Sequence, residues 1–196
     1  MRRDRNLNRG LDLVAMAACT RCALATTRQR VVCGSGPLHA ALMIVGEAPG
    51  RHEDESGQSF VGRSGQLLFR LIEEEVGLTR DQCYSTSVVK CRPPQNRPPK
   101  RHELDACRPW ITQQLLAGAP RVVVTLGATA ARSLLGRREP MRVLHGDVVT
   151  LGAATALATY HPAAALRGGP SIEALLRGDL RIVRQLLVDA ADPAVR

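Results

Sequence analysis

Apolar residues recur along the chain in two spacings. Short β-branched runs occupy residues 41–46, 83–89, 121–126 and 155–160. Two of these are nearly continuous in apolar residues, the pattern of strands covered on both faces. Between them the spacing lengthens to that of helices. Leu67, Leu68, Leu71, Ile72 and Val76 share one stripe, which Gly77 can end. Leu104, Cys107, Ile111 and Leu115 form another, interrupted by Pro109, which predicts that a second helix begins there. Residues 128–135 predict a helix stopped by Gly136, and residues 172–190 a last one carrying Leu175, Leu176, Leu180, Val183, Leu186 and Leu187. Strands alternating with helices predict βαβ units, a parallel sheet and a three-layer α/β/α domain. The Pro-rich stretch 92–99 is too short to act as a linker between domains. Residues 1–196 are therefore expected to form one domain, with residues 1–9 flexible and 191–196 a tail.

In parallel α/β sheets, ligands collect beyond the carboxyl ends of the strands. The unusual residues fall there: Gly46-Glu-Ala-Pro-Gly50 after the first run, Lys90-Cys-Arg92 after the second, and His161-Pro162 after the fourth. Composition adds a partner to this picture. The 44% hydrophobic content excludes disorder, and the 3% aromatic content leaves a core of Leu, Val, Ile and Ala. No apolar run approaches the ~20 residues that span a bilayer. The arginine-rich first ten residues lack the apolar stretch of a secretory signal, so a cytoplasmic location is expected. The net charge of +9 points to a polyanion, although all but two of the 27 cations are arginine, a bias that codon composition alone can produce. Basic zones at 1–40 and 88–110 around an acidic stretch at 47–81 fit nucleic-acid binding.

In a reducing compartment the six cysteines read as ligands or buried thiols. Cys19 and Cys22 form a C-x-x-C pair; Cys91 and Cys107 are separate, in a Pro- and Arg-rich context. A zinc site of four thiolates usually takes two tight pairs, and the second is missing. An iron–sulfur cluster accepts ligands from more distant segments around its larger core. Four ordinary buried thiols are the third reading, and spacing alone leaves all three open. Cys33, in a turn, and Cys83, at a strand start, are read as non-ligands.

Eight segments occur in order over residues 10–190: Cys19-Thr-Arg-Cys22, Gly46-Glu-Ala-Pro-Gly50, Glu53-Asp54, Gly57-Gln-Ser-Phe-Val-Gly62, Val88-Val-Lys-Cys-Arg-Pro-Pro94, Asn96-Arg97, Cys107-Arg-Pro-Trp110 and His161-Pro162. Together they resemble the iron–sulfur family 4 of the uracil-DNA glycosylase superfamily. The resemblance implies a central four-stranded parallel sheet and a 4Fe–4S cluster on Cys19, Cys22, Cys91 and Cys107. It implies a monomeric base-excision-repair enzyme of the cytoplasm and nucleoid that hydrolyses the N-glycosidic bond of uracil in DNA and leaves an abasic site. Uracil would lie among Gly46, Glu47, Ala48, Pro49, Phe60, Ser87 and His161, with Phe60 stacked on it and His161 bonding its O2 side. Glu47 would position water or stabilise the cationic sugar.

The residue types suit that chemistry. A base extruded from a duplex needs a stacking surface, recognition of its edge and a backbone clamp. Phe60, one of two phenylalanines, sits in a polar, Gly-rich loop, and Gly46 and Gly50 permit close backbone approach. Negative charge builds on the departing base, which calls for hydrogen-bond donors at its oxygens. His161 is expected to donate while neutral, so that activity falls in acid across the histidine range. Against Glu47 stands the plainer reading of a cap for the next helix.

One departure qualifies the resemblance, and one residue shifts the burden of the chemistry. Ala48 cannot activate water, although small residues are common there in family 4. Ser87 stands where the family usually has Asn, and one hydroxyl cannot make the amide's two-point contact without a bridging water. Weaker uracil discrimination, lower activity or another deaminated base is expected. The loop at 163–167 resembles a minor-groove wedge, with Leu166 filling the gap and Arg167 on a phosphate; an ordinary helix start is the alternative. Lys90, Arg92, Arg97, Lys100 and Arg101 read as a phosphate-binding face. Two other functions compete. A relative that traps uracil-DNA covalently is faintly echoed by Lys100-Arg-His102, but without its insertion. A lesion-binding iron–sulfur protein that does not cleave is the other.

Overall fold

A computed structural model describes residues 11–190; the expected flexible start and tail lie outside them. In chain order the elements are α1 (Leu13–Ala17), β1 (Leu42–Gly46), α2 (Arg51–Ser56), α3 (Arg63–Val76), β2 (Tyr84–Ser87), α4 (Arg101–Gly118), β3 (Val122–Leu126), α5 (Ala128–Leu135), α6 (Met141–Leu144), β4 (Val148–Leu151), β5 (Ala154–Thr159), α7 (Pro162–Gly168) and α8 (Pro170–Asp189). The sheet runs β2-β1-β3-β5-β4. Its first four members are mutually parallel, as expected. It has five strands rather than four: β4 pairs antiparallel with β5 through a tight hairpin at Gly152, whose φ is 63°. Its four residues alternate between exposed and half-buried, too short a run to stand out in the sequence.

Period-two geometry explains the continuous apolar runs. Leu42 and Ile44 of β1, with Val122, Val124 and Leu126 of β3, face a core shared with α3 and α8. Met43, Val45 and Val123 face the opposite core, which α1 and α4 cover through Met16, Trp110 and Ile111. Helix α4 continues through Pro109 without the predicted break. A proline at that position leaves the Asp105 carbonyl without its helical donor. Both residues lie on the exposed face, where water can take the bond. The predicted strand 83–89 is shorter than expected. After Ser87 the chain bends, and the Val88 and Val89 amides donate to the carbonyls of Gly46 (2.9 Å) and Glu47 (3.1 Å).

Candidate functional site

A cleft of about 540 Å³ opens at the carboxyl ends of the parallel strands. The turn after β1 supplies Glu47, Ala48, Pro49 and Gly50 to its wall, the loop before α3 supplies Phe60, and the end of β2 supplies Ser87. His161 enters from the end of β5, and Arg97 and Arg167 complete the wall. Residues far apart in the sequence are thus brought to one place by the parallel strand ends and the loops and helix starts that adjoin them. Gly46 lies directly beneath, at the end of β1. A Cβ there would stand 2.7 Å from Cζ of Phe60, so only glycine admits the ring.

Phe60 is buried and adopts φ 55°, a conformation that a bulky L-residue rarely takes. Its ring faces that of His161, with centroids 6.3 Å apart and planes inclined by 30°. His161 is the N-cap of α7, and its Nδ1 accepts from the Ala163 amide at 3.1 Å. That bond requires an unprotonated Nδ1, which leaves the proton of the neutral ring on Nε2. Burial, and after it the positive charge of Arg167, lower the His161 pKa to about 4. The imidazole therefore stays neutral through the ordinary histidine range, and the expected acid loss moves well below it.

The alternative role of Glu47 falls to another residue. Glu53 takes the capping position, receiving the Gly50 amide (3.1 Å) on one carboxylate oxygen and the Gly62 amide (2.8 Å) on the other. It welds the turn after β1 to the loop carrying Phe60, while the half-buried Glu47 lines the cleft. Asp54, next in sequence, is buried and accepts from the Gln29 and Arg30 amides at 2.9 and 3.3 Å. These two acids form a motif to which sequence reasoning assigned no task. Leu126, Gly127, Ala128 and Thr129 also line the cleft. The signal for them was present: a strand end followed at once by a helix start, as at the other walls.

The basic residues divide. Arg92, Lys100 and Arg101 lie half-buried to exposed, although Arg92 bonds Asn96 and Arg101 bonds Asp105. Arg97 is held by the buried Glu103 through two N–H donors at 2.9 and 2.6 Å. Lys90, expected on this face, does not belong to it. It is 1% exposed, and its ammonium donates to Thr86 Oγ1 (2.6 Å), the Ser87 carbonyl (2.6 Å) and Gln114 Oε1 (2.5 Å). Three acceptors exhaust its three protons, and no phosphate can reach it. The wedge-like stretch 163–167 is not a loop but the first turns of α7, with Leu166 and Arg167 exposed.

Cys91 and Cys107 are buried in the core on the α4 side of the sheet, and Cys19 and Cys22 pack against the same cluster. All are free thiols. Burial pushes the Cys91 thiol up to about 12 and raises that of Cys107 as well, the latter against the pull of Lys90. N–H donors already point at the sulfurs. The Lys90 amide reaches Cys107 Sγ at 3.3 Å, the Trp110 indole Cys19 Sγ at 3.2 Å, and Arg28 Cys91 Sγ at 3.5 Å. Among the described residues, no three His, Cys, Asp or Glu side chains converge closely enough to hold a single metal ion. Cys83 is buried in the core on the other face, whereas Cys33 packs against the same cluster as Cys19 and Cys22, its carbonyl accepting from Thr86.

Comparison with known proteins agrees with this arrangement. The Uracil DNA glycosylase superfamily profile matches residues 33–177. A type-4 uracil-DNA glycosylase of Saccharolobus solfataricus is 39% identical over 187 residues, covering 90% of this chain and 86% of its own. One from Thermotoga maritima is 40% identical, covering 76% and 78%. A type-5 uracil-DNA glycosylase of Pyrobaculum aerophilum is 37% identical, covering 65% and 63%. With six of its eight motifs contributing to one cleft and this similarity over most of its length, the chain belongs to the uracil DNA glycosylase superfamily.

Proposed function

We propose that this protein removes uracil from DNA by hydrolysing its N-glycosidic bond, acting as a monomer of the cytoplasm and nucleoid in base-excision repair. The observation that carries the reading is the facing pair Phe60 and His161 at the strand rim, with Glu47 and Ser87 in the same walls. An extruded base stacks on Phe60 and meets Nε2–H of His161 at its O2 edge. As the C–N bond lengthens, charge accumulates on that oxygen, and a donor already fixed in tautomer strengthens its bond without reorganising. A neutral imidazole does this without transferring a proton. Glu47 stabilises the cationic sugar or holds the attacking water, a task Ala48 cannot perform. Ser87 offers the base a single hydroxyl. Leu166, Arg92, Lys100 and Arg101 meet the DNA outside the slot, and Arg97 and Arg167 meet it at the cleft wall.

We further propose that Cys19, Cys22, Cys91 and Cys107 hold a 4Fe–4S cluster. Four thiols from three segments at one core, with N–H donors directed at three of them, fit thiolates spread over a core wider than one ion. Bound there, the cluster would cross-link these segments behind the DNA-facing loops.

The test is base release. Holoprotein purified without air is mixed with oligonucleotides containing uracil, hypoxanthine or xanthine, and free base and alkali-labile sites are measured. Uracil release with an abasic product is expected. Tight binding without release would make it a lesion binder, and a heat-stable adduct on a denaturing gel would make it a covalent trap.

A further inference from the structure

Arg80 lies outside every motif that builds the cleft, at the turn between α3 and β2. Its guanidinium stacks on the Phe69 ring, 3.8 Å from the centroid. From there it donates to the Ser59 carbonyl at 3.3 Å and to the Phe60 carbonyl at 2.7 Å. These two oxygens belong to the peptide planes on either side of the Phe60 Cα. Fixing both planes fixes φ and ψ of the residue between them. Phe60 needs such holding, because its φ of 55° is one that a phenylalanine leaves when free to do so. Two further contacts close the alternatives. A Cβ at Gly65 would stand 1.9 Å from the Phe60 carbonyl oxygen, so Gly65 leaves room for that oxygen to face Arg80. The Ser59 side of the loop is tied to the sheet through Ser59 Oγ and the Ser85 carbonyl at 2.8 Å.

We propose that Arg80 is the positioning residue for Phe60: it holds the loop backbone in the left-handed conformation that lays the ring over Gly46 and opposite His161. The inference rests on reading the cleft as the slot for an extruded base. Two of the Arg80 N–H donors are turned to carbonyls and its face to an aromatic ring. Arg80 would therefore act through Phe60 even though the side chain is exposed, and the salt slope of DNA affinity separates this from a phosphate contact. A planar guanidinium can stack and donate twice in fixed geometry, whereas an ammonium cannot, so lysine is a poor replacement.

The experiment is a cycle of single-turnover uracil excision with holoprotein of the wild type, Arg80→Met, Phe60→Ala and the double variant, with DNA affinity measured against salt. Arg80→Met is expected to lower the maximal rate about tenfold, the size of effect that freeing one strained residue produces. DNA affinity and its salt slope should not change. In the Phe60→Ala background the same replacement should change the rate less than about twofold. Equal losses in both backgrounds would overturn the proposal, as would an unchanged rate. A salt slope reduced by about one would also overturn it by marking a phosphate contact. If Arg80→Met does not fold, Arg80→Lys reads the same cycle with a partial loss expected. A crystal structure of either variant reports Phe60 φ directly, without activity. Failure of the unaltered protein to release uracil would strike the functional reading; a variant retaining φ near 55° would strike this one.

Discussion

Protonation of His161 is the sharpest test of the chemistry. Burial and Arg167 hold its pKa at about 4, and the Ala163 amide occupies Nδ1. At pH 5.5 an imidazole with that pKa is about 97% neutral, whereas one with the ordinary value near 6.5 is only about 9% neutral. The two cases differ about tenfold in the active fraction. The assay is kcat/KM, or the single-turnover equivalent below saturation, between pH 4 and 8, since this quantity reports the free enzyme. A profile flat from pH 8 to about 5 and falling toward 4 is expected from His161. Arg167→Ala should move the acid limb upward, because one of the charges opposing protonation is gone. An NMR titration of the His161 ring supplies the same value without substrate. The linkage to stability has a definite sign. The folded-state pKa lies below the unfolded one, so the stability due to this group is present above about pH 6.5 and is lost as the pH falls toward 4. A tenfold fall in rate between pH 7.5 and 5.5 that follows the His161 titration would refute the reasoning.

Other outcomes follow from the same geometry. Ser87→Asn should raise uracil excision, because an amide can accept from N3–H and donate to O4 together; an unchanged rate would mean that Ser87 does not read the base. Glu47→Gln should lower the single-turnover rate by about 100-fold, within the range of a positioned acid or base, with DNA affinity little altered. Gly65→Ala should lower thermal stability by roughly 1–3 kcal/mol, because the added methyl would overlap the Phe60 carbonyl, and denaturant titration measures it. Cys107→Ser should abolish the visible absorbance of anaerobically purified protein, and retention of full iron content would argue against Cys107 as a ligand.

Much of this arrangement was legible in the sequence because parallel strands announce themselves twice. A run such as residues 122–126 is apolar on both faces, and whatever follows it lies at the ligand-bearing rim. Glu47, Phe60, Ser87 and His161 were found by that rule together with the motifs. Lys90 shows its limit. Charge and neighbours placed it on a DNA-facing surface, while three acceptors supplied by Thr86, Ser87 and Gln114 drew it inside. Nothing local in the sequence announces such a set, since Gln114 is 24 residues away on α4. Pro109 misled for a related reason, because a proline on the wet face of a helix leaves its free carbonyl to solvent. Arg80 was invisible because the hydrogen-bond acceptors it holds are main-chain carbonyls, which carry no residue identity.

The outer strands of the sheet decide how the protein behaves in company. A row of unpaired amides at a sheet border is a template on which another chain can anneal. Here β5, which delivers His161, is screened by a four-residue neighbour, β4, that Arg137 pins through Asp147 at 2.9 Å. At the opposite border, Ser35 exchanges two backbone hydrogen bonds with Ser85 of β2, at 2.9 and 2.8 Å. Neither side offers a long flat ribbon, so the fold resists intermolecular β-pairing at the strand on which the chemistry depends.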